Sequence, residues 1–326
     1  MACGSKSAKV SKDTLAHLPK DATFVVGIRA GDILESDAWK KLVVPKTAGN
    51  EDFQKFLACA PWSKVDLVMV SGNIPAERAT VIVKGLTRAQ VQSCAEKIAK
   101  DDGETATIKN DGKLMSLKKS GDDDTMWIGW LSDTTLVVAS GDAVDHDPAA
   151  QKALVEQRLA GKDGLDTNKA MMDLLASVKA DTIFGAGDLS AFQTQVPGIK
   201  SIAGTIEVSG GLKMHLRVGF TDAKVATNNS KRAEGFVGMV KLKPEIAWIA
   251  DRVKISTDDT FAVAKIDLSA DDLGKLAGMA DKFPLPFARR RERPVPPMGI
   301  NPHQAPAPDM APPPGQAPAQ AAPATP

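Results

Sequence analysis

The chain has 326 residues, 25% of them charged and 43% apolar, with a formal net charge of +1 at neutral pH. That mix is globular and fits one large domain or two of ordinary size. The near balance of charge argues against a dedicated nucleic-acid binder, which carries a basic excess. Aromatic residues amount to 5% with no Tyr, which leaves little for stacking bases or sugars. No run reaches the roughly 18–20 apolar residues of a membrane-spanning helix.

The first residues are Met1-Ala2-Cys3-Gly4. A small residue before a cysteine and Gly after it are the neighbours of the lipid-bearing cysteine in a bacterial lipoprotein, while the basic and apolar parts of a leader are not in the sequence. The expectation is that residues 1–17 hold a lipidated Cys3 and a polar tether, with the body facing the periplasm or exterior. A cytoplasmic protein with an early cysteine is the alternative.

Residues 18–147 and 148–288 read as two divergent copies of one unit. The first copy has Ala22-Thr23-Phe24-Val25-Val26-Gly27 before Gly31-Asp32-Ile33, and the second has Asp181-Thr182-Ile183-Phe184-Gly185 before Gly187-Asp188-Leu189. In each, a strand leads to a helix with Asp as its expected N-cap. Val83-Lys84-Gly85-Leu86-Thr87 then matches Arg217-Val218-Gly219-Phe220-Thr221, with Thr87 and Thr221 as expected caps of long helices and Gln90 completing a capping box. Hairpins are predicted at Asn110-Asp111-Gly112, Ser132-Asp133-Thr134, Ser209-Gly210-Gly211 and Thr257-Asp258-Asp259, and helices over Pro148–Leu159 and Thr167–Val178. The fold class is therefore α+β: two tandem related units, mostly antiparallel sheets each covered on one face by helices. Residues 289–326 begin with Arg289, Arg290, Arg291 and Arg293 and continue as Pro, Ala and Gln, a composition that predicts a disordered tail.

Three cysteines leave one over if two pair. In an oxidising envelope compartment Cys59 and Cys94 are the expected bridge, worth about 3 kcal/mol by loop closure, with Cys3 as the odd thiol. Two buried free thiols are the alternative.

Motifs for chemistry are sparse. The sequence has no Gly-x-Ser-x-Gly, no phosphate-binding Gly-x-x-x-x-Gly-Lys-Ser/Thr and no His-Glu-x-x-His. Gly185-Ala186-Gly187 lacks the third glycine of a dinucleotide loop and reads as a tight turn. His17, His215 and His303 have no ligand company; His146 sits among Asp142, Asp145 and Asp147 without the spacing of a cation loop. Asp122-Asp123-Asp124 reads as a solvated hairpin tip, and Lys109, Lys113, Lys118 and Lys119 as a solvated sheet face. Trp127 and Trp130, three apart on a strand, face opposite ways, so one is expected in the core and one exposed. No catalytic residue, metal ligand or cofactor emerges.

Several stretches together, Leu18-Pro19-Lys20-Asp21-Ala22-Thr23-Phe24, Ser36-Asp37-Ala38-Trp39-Lys40-Lys41-Leu42, Cys59-Ala60-Pro61-Trp62 and Val81-Ile82-Val83-Lys84-Gly85 with Cys94 beyond, resemble a group of uncharacterised bacterial envelope lipoproteins. The resemblance implies an exported, lipid-anchored α+β protein and carries no catalytic residues. The function expected is a non-enzymatic envelope protein with a structural or binding role, its partners a membrane at Cys3 and an envelope protein at the Pro-rich tail, and no nucleic acid; a purely solubilising appendage is the alternative reading of that tail. The alternative is a soluble periplasmic carrier with an apolar ligand between sheet and helices, covered by the long helix Asp222–Lys241.

Overall fold

The computed structural model describes residues 11–121, 124–141 and 146–279. Cys3, His303, Asp122, Asp123, residues 142–145 and the tail from 289 lie outside them. The chain opens with α1 (Lys12–Ala16) and β1 (Phe24–Ile28). A helical excursion follows: α2 (Ala30–Glu35), a π-helical turn at Trp39–Val43, α3 (Val44–Thr47) and α4 (Glu51–Cys59). The hairpin of β2 (Leu67–Asn73) and β3 (Arg78–Lys84) leads into α5 (Arg88–Asp101). Two hairpins come next, β4 (Ala106–Asp111) with β5 (Leu114–Lys119) and β6 (Met126–Ser132) with β7 (Thr135–Gly141). Helices α6 (Pro148–Ala160) and α7 (Lys169–Ala176) connect to β8 (Ile183–Asp188), then β9 (Ile199–Glu207) and β10 (Gly211–Phe220). Last come α8 (Ala223–Lys241), α9 (Ala247–Ala250), the hairpin β11 (Val253–Asp258) and β12 (Phe261–Ser269), and α10 (Ala270–Met279).

The fold is α+β, and all four predicted hairpins form. Among the described residues the twelve strands make one sheet, in the order β11-β12-β10-β9-β8-β1-β2-β3-β7-β6-β5-β4. This corrects the expectation of a separate sheet in each unit: β1 and β8 pair antiparallel from Phe24↔Gly187 to Ile28↔Ile183 and fuse the halves. Outward from that junction, β1-β2-β3 on one side is matched by β8-β9-β10 on the other. The β6–β7 hairpin then intervenes between β3 and β5, whereas β12 pairs directly with β10.

The junction is closed by an aromatic ring on a glycine. Gly27 of β1 lies opposite Phe184 of β8, and a Cβ at Gly27 would come closer to Phe184 Cζ than any side chain could tolerate. On the opposite face Phe24 lies over Gly72 in the same manner. Phe184 is 2% exposed and joins Leu18, Val25, Met69, Val155 and Met171 in the largest core cluster.

Helices cover both faces, which corrects the one-face expectation. Residues of α6 and α7 build the core beneath Phe184, while α5, α8 and α10 pack on the other face. Accordingly both tryptophans of β6 are covered: Trp130 is 4% exposed and Trp127 packs against the main core. Arg88 lies over the Trp130 ring and Lys152 over Trp127.

The Thr87–Gln90 capping box is present on α5. Elsewhere the caps differ by local geometry. Asp222, not Thr221, caps α8, accepting from the Val225 amide at 2.9 Å. Asp32 sits inside the first turn of α2, and Asp188 Oδ1 accepts from the Ser190 amide at 2.8 Å ahead of a 3-10 turn at Ser190–Phe192 whose N-cap is Leu189. Gly185-Ala186-Gly187 runs through β8 and is not a turn. The start of α10 holds a reciprocal pair that the sequence reading passed over. The Asp272 amide donates to Ser269 Oγ and the Ser269 amide to Asp272 Oδ2, each at 3.1 Å, and Arg252 Nε adds an ion pair at 3.0 Å.

Burial pushes the Asp272 carboxyl up, and hydrogen bonds from Ser269 and Arg252 more than offset it, so its pKa lies below the ordinary value. A depressed folded pKa contributes stability that is complete above the unfolded value of about 3.9 and is lost as pH falls through the folded one. In urea titrations Asp272→Asn should be less stable than wild type at neutral pH, with the gap closing below about pH 4; a gap independent of pH refutes this role. Gly27→Ala forces the Phe184 ring aside and should cost about 1–3 kcal/mol, the range for overpacking, with partial recovery on adding Phe184→Leu. An unchanged denaturation midpoint in Gly27→Ala counts against the junction's importance.

Candidate functional site

Among the described residues an extensive apolar hollow lies on the α5 face of the first half. α5 faces β3, β5, β6 and β7 with Val91, Ala95 and Ile98, and the strands answer with Val83, Leu117, Ile128, Leu136 and Val138. Helix α4 has no fully buried residue among those described. Asn50 caps it through the Phe53 amide, and a covalent tie keeps it in place. Cys59 at its last position is bonded to Cys94 of α5, with Cα atoms 4.7 Å apart. Lys97 Nζ also reaches the Ala58 carbonyl at 3.5 Å, and Trp62 Nε1 donates to the Phe56 carbonyl at 2.8 Å, stacking the two rings 4.5 Å apart.

The result is a cavity of about 660 Å³ between sheet and helices, with Phe56 and Trp62 on its α4 side. Phe56 and Met126 remain 46% and 50% exposed at its margin, apolar surface that the fold does not cover. Charge is confined to Lys118, Lys119 and Asp124. Lys119 is engaged by Asp102 at 2.7 Å and Glu104 at 3.5 Å; the Asp102 hydrogen bond raises the lysine pKa and lowers that of Asp102. Such a lining suits an uncharged hydrocarbon body with a polar end outside, and its volume falls in the roughly 300–1,000 Å³ range of ligand sites.

This placement corrects the cover expected of α8. Beneath α8 the chain is packed: Ala226 and Phe220 are buried together, while Phe236 points to solvent, 63% exposed. The expected Cys59–Cys94 bridge is present, with Cys94 in the lining of the cavity; Cys3 lies outside the described residues. His17 Nδ1 is 2.7 Å from the Arg158 carbonyl. His215 is an exposed strand residue whose pKa is lowered by partial burial, then by Lys265 and Arg217. His146 stands 3.5 Å from Asp124 Oδ1, and among the described residues no group of three or more potential metal ligands gathers. Lys109 and Lys113 are solvent-exposed. Among the described residues no helix is long and apolar enough to cross a membrane.

The signal for the cavity was in the sequence: Val91, Cys94, Ala95 and Ile98 share one face of α5. What the sequence lacked was the position of α4, which the bridge decides.

Neither a protein-family model nor a curated protein matches the chain. Solved structures of the treponemal protein TP0453 do. Crystal form III aligns with a TM-score of 0.50 at 9% identity over 82% of this chain and 98% of that one. Crystal form I aligns at 0.49 and 10% over 84% and 99%. The likeness to form III is one of fold.

Cys59→Ser removes the tie and should cost about 3–4 kcal/mol by the loop-closure relation. Amide exchange should rise across α4 and spare β1–β3. Retained protection in α4 refutes the view that the bridge, more than packing, holds it.

Proposed function

We propose that the chain is a non-enzymatic binding protein of the bacterial envelope, lipid-anchored at Cys3, that holds an apolar ligand in the cavity between α5, α4 and the sheet. The observation that carries the reading is the cavity itself: about 660 Å³, lined almost wholly by aliphatic and aromatic side chains, with Phe56 and Met126 exposed at its margin. The exposed apolar surface favours an occupant, because uncovered apolar area costs about 25 cal/mol per Å² relative to burial. The envelope location is supported by the Cys59–Cys94 bridge, which belongs to an oxidising compartment, and by the remaining thiol falling at Cys3. Lipid at Cys3 would insert at about 0.8 kcal/mol per buried methylene, and two or more chains would make attachment lasting. The residues after 288, rich in Arg and then Pro, are the segment proposed to meet an envelope partner.

The ligand reading is tested by titrating the delipidated full chain with a fluorescent fatty acid. Val138→Phe and Ala95→Phe, which place a ring in the cavity, should each weaken binding at least tenfold with the circular dichroism spectrum unchanged. Equal affinity in wild type and both variants sinks it. The anchor is tested separately: Cys3→Ala, expressed behind the native upstream sequence, should move the protein from membrane to soluble fraction, and unchanged fractionation rejects a lipid at Cys3.

A further inference from the structure

Arg158 sits near the end of α6 on the opposite face of the sheet, and it is only 5% exposed. Its Nε and Nη1 are buried with no hydrogen-bond partner. A guanidinium keeps its charge in a protein, so burial without partners costs several kcal/mol. Native structures relieve that cost with a counter-group, ordered water or a ligand. Burial lowers the Arg158 pKa, and the carboxylates that face it, Asp21 and Asp163, offset this only in part.

Arg158 also lines a cavity of about 290 Å³, separate from the apolar one. Its walls bring in Lys20, Arg78, Thr80 and Ser140 together with the two carboxylates. Asp21 is occupied: its Oδ2 accepts from Arg78 Nη2 and from Asn73 Nδ2. Among the described residues three cations and two carboxylates line the cavity, an excess of one positive charge. Thr80 is 4% exposed, and its cross-strand partner Ser71, fully buried, has an unpartnered hydroxyl of its own. Lys20 and Asp21 belong to the Leu18–Phe24 stretch, to which the apolar cavity assigns no role.

We infer that this cavity is a binding site for a small oxyanion, the carboxylate or phosphate group of a small molecule or the free ion, received by the buried Arg158 with Lys20 at the mouth. The chemistry matches the site: an oxyanion balances the single excess positive charge of the described lining, and Arg is the side chain suited to receive it. The site is independent of the apolar cavity and of the lipid anchor.

The test is thermal unfolding of the full chain in phosphate, acetate and chloride at matched ionic strength. Phosphate or acetate should raise the Tm saturably while chloride does not. The acetate and phosphate arms separate a carboxylate site from a phosphate site. Arg158→Met should abolish the rise, and Arg158→Lys should weaken half-saturation at least tenfold. Lys20→Ser, an exposed position outside the core, keeps the test decisive should the Arg158 variants unfold: it should weaken half-saturation several-fold. Equal responses to all three salts overturn the assignment, as does a rise that Lys20→Ser and Arg158→Met both leave intact.

Discussion

The ring of Phe184 lying on Gly27 is the contact on which the rest of the architecture depends. Two halves that share an order of strands and helices would each present a free first strand at the sheet edge. Antiparallel pairing of β1 with β8 satisfies both backbones, and the missing side chain at Gly27 lets the aromatic ring settle across the seam. Covering an open glycine with a cross-strand ring recovers apolar contact that a bare backbone would lose. Phe184 also brings α7 and α6 to one core, so the seam and the first layer of helices are stabilised by the same burial. The Phe24 ring over Gly72 does the equivalent on the other face.

Away from the seam, packing gives way to tethers. The excursion between β1 and β2 contributes Ala38 to the small core around Leu273 and then reaches α5 through a disulfide. A helix fixed by a covalent bond has less need to bury its own apolar residues, and Phe56 of α4 is left at the margin of a cavity. Hydrophobic collapse closes most such spaces, since interiors are packed to the density of organic crystals. Here the cross-link props the wall while charges at the rim, Lys119 with Asp102 and Glu104, satisfy one another.

Much of this was legible from residue order. Hairpins were marked by Asp111-Gly112 and Gly210-Gly211, and the start of α5 by Thr87 with Gln90, because those signals act within a few residues. The pairing of Cys59 with Cys94 was legible through compartment and count. Long-range facts were not. Gly185 and Gly187 were read as a turn because glycine most often serves one, yet on β8 they lie in the strand beside the seam. The unbroken apolar run Phe24-Val25-Val26 is the pattern of a strand covered on both faces, as a strand without polar alternation is. The same holds for Trp127 and Trp130. Arg158 gave no signal, since an arginine near the end of a helix reads as solvated, and its burial comes from tertiary packing.

Fusing two sheets into one also changes what the molecule offers to its neighbours. Two separate sheets would end in four edge strands, and each open edge is a template for pairing with another chain. One continuous sheet ends in two, β4 and β11, each six residues long with the same alternation of half-buried and exposed positions. Lys109 and Asp111 on one edge and Lys254 and Asp258 on the other place charge along the open backbone, a recognised defence against edge-to-edge aggregation. Halving the exposed edges is a gain in solubility that no single residue could supply.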